Sequence, residues 1–371
     1  MAWWAVLLGV GAILLWVVVF IVGRGPADCA SEAGVRPDNS SHPCPLPRRG
    51  IAAPSESPAA PEVAASALKS RFVSTAPAVA LDRHRQGRDL FRYDERAPLE
   101  VRREAPPIQL ADGAISRLEL SFASPLGGRV PATVLVPRGS KSMPGLVVQH
   151  GLPGSRLDTL RLAEVFARAG AVTVSLDAPF ARRPRGQANP VTFTRRDRRE
   201  QIQLIVDLRR AVDLLIARDD VDPSRIGYLG GSYGGAMGGL LAGVEDRISA
   251  YVLQVGDGGL VEHFTGADDT NGPLQHLLPR RVKGWLAFME PIEPLYFVRY
   301  SKPAELLFQN GLEDELVPPS DALRFQRAGG EPKDTMWYAA GHGLGIEAEC
   351  DAARWLQTRL RFSDAAFDAC M

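Results

Sequence analysis

The feature that most constrains the fold is an alternation of short apolar runs with amphipathic segments over about residues 115 to 345. Apolar runs such as 145–149 and 171–176 are typical of strands that are buried on both faces of a sheet. Residues 198–218 instead carry their apolar side chains along one face of a helix. Strands that alternate with helices predict a mostly parallel sheet with helices on both faces.

A serine stands in the strongest chemical motif of the chain, the pentapeptide GGSYG at 230–234. The motif lies between the predicted strand 225–229 and a helical segment that begins at Tyr233. On such a strand-to-helix turn the serine hydroxyl projects from a strained backbone, and the glycines let neighbouring chain pass closely. The motif therefore predicts Ser232 as a nucleophile. A tight turn with an incidental serine is the alternative.

A histidine and an acid are expected downstream, because a serine hydroxyl is a poor nucleophile until a base removes its proton. His342 follows the last predicted strand and is flanked by glycines, which suits a base on an exposed loop. The orienting acid is expected after the predicted strand 304–309, where three carboxylates follow. We choose Asp314, since Glu313 and Glu315 are typical of solvated neighbours.

The turn HGLPG at 150–154 directly follows an apolar run and is the candidate oxyanion hole. Its glycines free the backbone to direct an N–H at a substrate carbonyl oxygen. We predict that the backbone N–H of Leu152 acts together with that of Tyr233, the residue after the serine. His150 fits a turn-stabilising role better than that of a base, because it precedes Ser232 in the chain.

Together these motifs resemble the α/β-hydrolase superfamily, and within it serine esterases of the dienelactone-hydrolase and acetyl-xylan-esterase type. The resemblance rests on SPLGGRVPATVLVP, VVQHGLPG, DPSRIGYLGGSYGG, LLFQNGLEDELVP and WYAAGHGLG. It implies an α/β-hydrolase fold with the triad order Ser232, Asp314, His342, and hydrolysis of carboxylic esters through an acyl-enzyme, with no metal or organic cofactor. Dienelactone hydrolases use a cysteine nucleophile, so a serine at position 232 argues against the dienelactone reaction itself.

Other functions remain open at this point. DPSRIGYLGGSYGG is also similar to the catalytic domain of prolyl-oligopeptidase-type peptidases, although only about 115 residues precede the domain, too few for their propeller. A thioesterase would use the same three residues. A catalytically idle hydrolase fold that serves as a binding or scaffold protein is a further alternative, but it has no physical need for an intact triad.

The N-terminal segment is the most apolar part of the chain, with no charged residue between Trp3 and Gly23. A helix of this length, at ~1.5 Å per residue, spans the roughly 30 Å hydrocarbon core of a bilayer. We therefore predict a single-pass transmembrane anchor at 1–23 and a membrane localisation, with the side of the catalytic domain undecided. A cleaved signal peptide and a buried core helix are the alternatives.

The rest of the chain divides by composition. Residues 24–66 are rich in Pro, Ala and Ser and predict a tether, which leaves 67–371 for the hydrolase domain. The interval 256–303 is long and has no clear strand, so we predict that it forms a cap.

Charge and cysteine content restrict the partners. Lys plus Arg and Asp plus Glu are both 43, so the net charge of zero excludes the basic surface typical of nucleic-acid binders. The predicted partners are a small-molecule ester substrate and, through the anchor, a membrane; the oligomeric state is left open.

The four cysteines lie in two local pairs, Cys29 with Cys44 and Cys350 with Cys370. This placement fits either two disulfides or four unrelated thiols.

Overall fold

The computed structural model of the protein describes residues 57–63, 76–139, 141–184, 191–265 and 279–362. The predicted anchor at 1–23 and most of the predicted tether lie outside these residues, as does part of the predicted cap. Within them the chain builds one large sheet with helices packed on it.

Ten strands form this sheet in the described residues. They are β1 (Arg102–Arg103), β2 (Ile108–Leu110), β3 (Ile115–Ala123), β4 (Arg129–Pro137), β5 (Met143–Gln149), β6 (Val172–Leu176), β7 (Val221–Gly231), β8 (Ala250–Gln254), β9 (Glu305–Gly311) and β10 (Lys333–Tyr338). The α-helices are α1 (Pro77–Gly87), α2 (Leu160–Arg168), α3 (Arg195–Ile216), α4 (Tyr233–Ala242), α5 (Leu260–Thr265), α6 (Pro279–Met289), α7 (Pro294–Phe297), α8 (Pro319–Ala328) and α9 (Gly345–Leu360).

The sheet is mixed, with the strand order β1-β3-β4-β6-β5-β7-β8-β9-β10 and β2 paired to β3. The strands from β1 to β4 pair antiparallel, and β4 joins β6 antiparallel as well. From β6 to β10 every neighbouring pair is parallel. The carboxyl ends of these parallel strands therefore meet at one edge, which is where open α/β sheets bind their ligands.

The core lies in two layers, one on each face of the sheet. On one face α3 and α4 pack on the strands through Leu208 and Leu240, which join Val147 of β5. On the other face the apolar cluster includes Phe166 of α2 and Leu356 of α9. All seven residues of β5 are buried, as expected for a strand covered on both faces.

The region in which the sequence predicted a cap consists of short helices where it is described. The indole N–H of Trp285 in α6 donates to Asp197 Oδ2 of α3 at 2.9 Å. The side-chain amide of Gln201, also in α3, donates to the carbonyl oxygen of Ile292 at 2.9 Å. These contacts attach the region to the sheet layer through α3, and the division into domain and cap remains a prediction.

The end of the predicted tether lies against the edge strand β10. The hydroxyl of Ser57 donates to the carbonyl oxygen of Trp337 at 3.0 Å and accepts from the N–H of the same residue at 2.8 Å. Val63 packs against the apolar cluster that contains Val317 and Trp337. Residues 57–63 thus contact the folded domain and cover backbone groups that an edge strand would otherwise leave open.

The transmembrane part of the predicted fold class requires correction. A spanning helix needs about 20 consecutive, predominantly apolar residues. Across the described ranges no helix combines that length with that apolarity; the longest, α3, has 22 residues but begins with an uninterrupted run of charged side chains. The segment 1–23 lies outside the described residues. The described residues therefore give the predicted transmembrane helix and membrane localisation no support, and the fold class is corrected to the α/β-hydrolase fold alone.

The cysteine prediction falls largely outside the described residues. Cys350 lies in α9 and is disulfide-bonded. Cys29, Cys44 and Cys370 lie outside the described part of the chain, so the proposed pairing remains a prediction.

Candidate active site

Ser232 occupies a strained turn between β7 and α4, with φ 55° and ψ −120°. Such positive φ angles are uncommon for residues other than glycine and persist only where the surroundings hold them. Here the N–H of Ser232 donates to the carbonyl oxygen of Gln254 in β8 at 2.9 Å, and its own carbonyl accepts from Ala236 of α4 at 3.0 Å. The turn has the geometry of a nucleophile elbow.

Two glycines of the motif are required by close backbone approach. A Cβ on Gly230 would lie 2.4 Å from the carbonyl oxygen of Gly234. A Cβ on Gly234 would lie 2.5 Å from the carbonyl oxygen of Gln149, at the end of β5. Both distances are far inside van der Waals contact, so only glycine lets α4 begin directly above the strand ends.

The predicted acid and base form a hydrogen-bonded pair. Asp314 follows β9, and its carboxylate is almost fully buried and accepts the N–H groups of Leu316 and Val317, both at 2.9 Å. His342 follows β10, and its Nδ1 lies 2.9 Å from Asp314 Oδ2 and 3.1 Å from Oδ1. A carboxylate only accepts, which assigns the ring proton to Nδ1 and leaves Nε2 with the lone pair.

Burial distinguishes Asp314 from its acidic neighbours. Glu313 and Glu315 are both exposed, as expected for solvated residues. Asp314 lies between them with its side chain turned inward, held by two backbone N–H donors in the following residues. These two backbone donors hold the carboxylate in place independently of its hydrogen bond to His342.

Ser232 and His342 line one cavity at the carboxyl edge of the parallel strands, with a volume of about 540 Å³. Other lining residues are Gln149, His150, Gly151, Leu152, Leu162, Gln254 and Leu344. Charged side chains also reach it, with Arg161 of α2 in an ion pair with Glu349 of α9. The structure thus brings the predicted nucleophile and base to the same space, and Asp314 holds the base through Nδ1.

The predicted oxyanion-hole residues also lie beside the serine. A Cβ on Gly151 would lie 3.0 Å from the Cβ of Ser232 and 3.6 Å from its Oγ, so this turn contacts the nucleophile directly. Leu152 lines the cavity. Tyr233 is the first residue of α4, where an N–H has no acceptor within the helix and the helix dipole favours negative charge.

His150 lies next to this turn but is engaged on both ring nitrogens. Its Nδ1 donates to the carbonyl oxygen of Gly151 at 2.8 Å, and its Nε2 accepts the N–H of Ala178 at 3.1 Å. Burial lowers the pKa of His150, which favours the neutral ring. His150 therefore ties the turn to the segment after β6, in agreement with the turn-stabilising role expected from the sequence.

Sequence reasoning missed the polar side chains that surround these groups. Asp177, just after β6, accepts the N–H of Arg156 at 2.8 Å and pairs with its guanidinium at 2.5 Å, which anchors the segment that follows the turn. Gln254 ends β8, Gln309 lies near the end of the neighbouring strand β9, and the two side chains are hydrogen-bonded to each other at 2.9 Å. The available signal was a polar residue at the end of an otherwise apolar run.

The amino-acid sequence matches the models of two families. The prolyl oligopeptidase family matches residues 192–370, and the acetyl xylan esterase (AXE1) family matches residues 94–256. Among curated proteins, the alpha/beta hydrolase domain-containing protein WAV2 of Arabidopsis thaliana is 33% identical over 127 residues. That match covers 31% of this chain and 38% of the relative, so the chain matches well under half of that protein's length.

Solved structures of acetyl xylan esterases share the fold. Acetyl xylan esterase 1 from Thermoanaerobacterium sp. JW/SL YS485 superposes with a TM-score of 0.64 at 18% identity, covering 81% of this chain and 99% of that one. The enzyme from Paenibacillus sp. R4 gives 0.59 at 19% identity, covering 80% and 100%. At such identities the likeness establishes the fold alone.

The mixed sheet, the strained serine turn and these structural likenesses together define the α/β-hydrolase fold. The chain has the α/β-hydrolase fold and resembles acetyl-xylan-esterase-type proteins, so the resemblance predicted from the sequence is confirmed. The matches also indicate a serine hydrolase of the carboxylic ester class.

Proposed function

We propose that this protein hydrolyses small carboxylic esters through Ser232, His342 and Asp314. The observation that carries the proposal is the 2.9 Å hydrogen bond from His342 Nδ1 to Asp314, on a histidine that lines one cavity with Ser232. That hydrogen bond leaves Nε2 as the basic nitrogen, which is the arrangement that activates a serine hydroxyl. The acetyl xylan esterase family match supports the same reaction.

The proposed reaction transfers the acyl group in two steps. Nε2 of His342 takes the hydroxyl proton as Oγ of Ser232 attacks the ester carbonyl, and the N–H groups of Leu152 and Tyr233 stabilise the oxyanion. The C–O bond to the alcohol then breaks, and the alcohol leaves with the proton from Nε2. Water then loses a proton to the same nitrogen and attacks the acyl-enzyme. The C–O bond to Oγ of Ser232 breaks, Nε2 returns the proton to Oγ, and the acid is released.

The cavity supports a small-molecule substrate. Its volume of about 540 Å³ lies within the range of roughly 300–1,000 Å³ that is common for small-ligand sites. Apolar side chains such as Leu152, Leu162 and Leu344 line much of it. Amide hydrolysis is the competing outcome, since the prolyl oligopeptidase match also spans Ser232, Asp314 and His342.

The test is a panel of p-nitrophenyl esters of increasing acyl length, assayed beside an aminoacyl p-nitroanilide and a thioester. We expect the short acyl esters to react fastest and Ser232→Ala to lower kcat on the order of 10⁶-fold. Ser224→Ala is the matched control, because Ser224 is an exposed serine of the same strand β7.

A fluorophosphonate probe should label the parent protein and the Ser224→Ala control but not Ser232→Ala. Full ester hydrolysis by Ser232→Ala would reject the mechanism. Faster turnover of the anilide or thioester than of every ester would assign a peptidase or a thioesterase instead. No turnover of any substrate, with no labelling, would favour the idle binding or scaffold protein.

A further inference from the structure

Two neighbouring glutamines near the carboxyl edge of the sheet, one of which lines the cavity, have no part in the proposed proton transfers. Gln254 ends β8 and Gln309 lies opposite it in β9, in direct parallel register. Gln254 is half-buried and lines the cavity, whereas Gln309 is completely buried. Burying a polar side chain without partners is costly, so their hydrogen bonds define which atoms are already in use.

A chain of hydrogen bonds sets the orientation of both amides. At its far end the carboxylate of Asp351 can only accept, so the hydroxyl of Tyr338 donates to it at 3.1 Å. The Nε2 group of Gln309 donates to that hydroxyl oxygen at 2.6 Å and to the carbonyl oxygen of Ala348 at 2.9 Å. Its Oε1 then accepts from Nε2 of Gln254 at 2.9 Å.

This chain of hydrogen bonds fixes the orientation of the Gln254 amide, and with it the position of the acceptor Oε1. Because Nε2 of Gln254 faces Gln309, Oε1 lies on the other branch of the amide, and no donor among the described residues meets it. The backbone carbonyl of the same residue holds the N–H of Ser232 at 2.9 Å. The backbone of Gln254 therefore lies beside Ser232, and both residues line the same cavity.

The charged groups at the cavity already have partners within the protein. Arg161 is paired with Glu349, and the carboxylate of Asp158 accepts the N–H of Ser155 at 2.7 Å. This leaves a neutral oxygen on Gln254, a residue that lines the cavity, and its complement is a neutral hydrogen-bond donor on the substrate.

We propose that Gln254 is a specificity-determining residue whose Oε1 accepts a hydrogen bond from a hydroxyl group of the ester bound at Ser232. This inference rests on the proposed function. A hydroxyl donor at that position restores the hydrogen bond that Oε1 loses when the substrate displaces water. An analogue without the hydroxyl leaves the oxygen desolvated and unpaired. Esters that carry a hydroxyl near the carbonyl are therefore the favoured substrate class.

The experiment compares two matched pairs of esters by pH-stat titration. Methyl 3-hydroxybutanoate against methyl butanoate places the hydroxyl on the acyl side, and 3-hydroxypropyl acetate against propyl acetate places it on the alcohol side. We expect kcat/KM to favour the hydroxyl-bearing member of at least one pair by about 10-fold. Gln254→Met should bring that ratio close to one, chiefly by raising KM for the hydroxyl ester.

Gln86→Met is the matched control, because it makes the same substitution at an exposed residue of α1 that does not line the cavity, and it should leave the ratio unchanged. The ratio is independent of the fraction of folded enzyme, so a partly unfolded Gln254→Met sample still gives a valid result. Equal rates within both pairs for the parent enzyme would overturn the inference. So would an unchanged ratio in Gln254→Met, or a loss of rate shared equally by both members, which indicates a structural role through the Ser232 turn.

The p-nitrophenyl ester panel separates this failure from failure of the proposed function. An enzyme that cleaves the panel but shows no hydroxyl preference refutes only the role of Gln254. An enzyme that cleaves no ester at all refutes the proposed function and the inference with it.

Discussion

His150 and His342 line the same cavity, yet their ring nitrogens are engaged in different ways. His342 is hydrogen-bonded through Nδ1 to the buried carboxylate of Asp314 at 2.9 Å, which leaves Nε2 with the lone pair. His150 donates to one backbone carbonyl and accepts from one backbone N–H. A histidine with both nitrogens bound to backbone cannot take up a proton without breaking one of those hydrogen bonds.

The comparison shows that proximity to Ser232 does not identify a base. What differs is the partner, a carboxylate that stabilises a protonated ring in one case and the neutral backbone of a turn in the other. Burial adds to the difference, since His150 is 3% exposed and has a lowered pKa. The variants below test whether the two histidines separate into a chemical and a structural role.

The largest expected effect is that of His342→Ala. Without the base, Ser232 keeps its proton, and we expect kcat for the best ester to fall on the order of 10⁶-fold with little change in KM. Steady-state kinetics measures the loss, and thermal unfolding tests that the variant is folded. A variant that retains more than a hundredth of the parent kcat would assign the base elsewhere, with His150 the next residue to test.

Asp314→Asn is expected to cost about 10⁴-fold in kcat. The amide removes the negative charge that stabilises the protonated ring of His342, and it can donate to Nδ1 and so select the wrong tautomer. Glu315→Gln is the matched control, since Glu315 is an exposed neighbour and should leave kcat unchanged. Equal activity of the two variants would contradict the pairing of Asp314 with His342.

The parts of this site differ in how far the sequence could predict them. The Ser232 turn is a local feature, because the strand, the GGSYG motif and the beginning of the helix follow one another in the chain. A single segment of sequence was therefore enough to predict it. The choice of Asp314 over Glu313 and Glu315 depends on burial, for which the sequence offered only the preceding strand as a guide. The structure places Ser232 on the strained turn and Asp314 within 2.9 Å of His342.

The Gln254–Gln309 pair could not be predicted in this way. It depends on the parallel register of β8 and β9, strands that are separated by 50 residues in the chain. A shift of one residue would turn either side chain to the opposite face of the sheet. The anchor prediction rested on apolar length alone, without any packing partner, and the described residues give it no support.

His150→Gln should lower stability more clearly than it lowers turnover. His150 makes one hydrogen bond to Gly151 within the turn and one that ties the turn to Ala178. Loss of both is expected to reduce the free energy of unfolding by about 1–3 kcal/mol. We expect kcat to fall by less than 100-fold, because the turn still carries the Leu152 N–H. Urea unfolding gives the first quantity and the ester assay the second. A loss of kcat as large as that of His342→Ala, in a variant of parent stability, would erase the distinction between the two histidines.

The smallest expected effect is on the pH dependence of stability. Burial lowers the pKa of His150 in the folded protein below its ordinary value of 6.5, which the unfolded chain retains. Between those two pKa values the unfolded state binds a proton that the native state does not. The contribution of His150 to stability is therefore fully present above pH 6.5 and is lost as the pH falls below it, by at most about 1.4 kcal/mol per pH unit. Urea unfolding of the parent and of His150→Gln from pH 7.5 to 5.0 measures this slope, which should be shallower in the variant. Parallel curves would show that His150 titrates alike in the folded and unfolded states, contrary to its burial between two backbone partners.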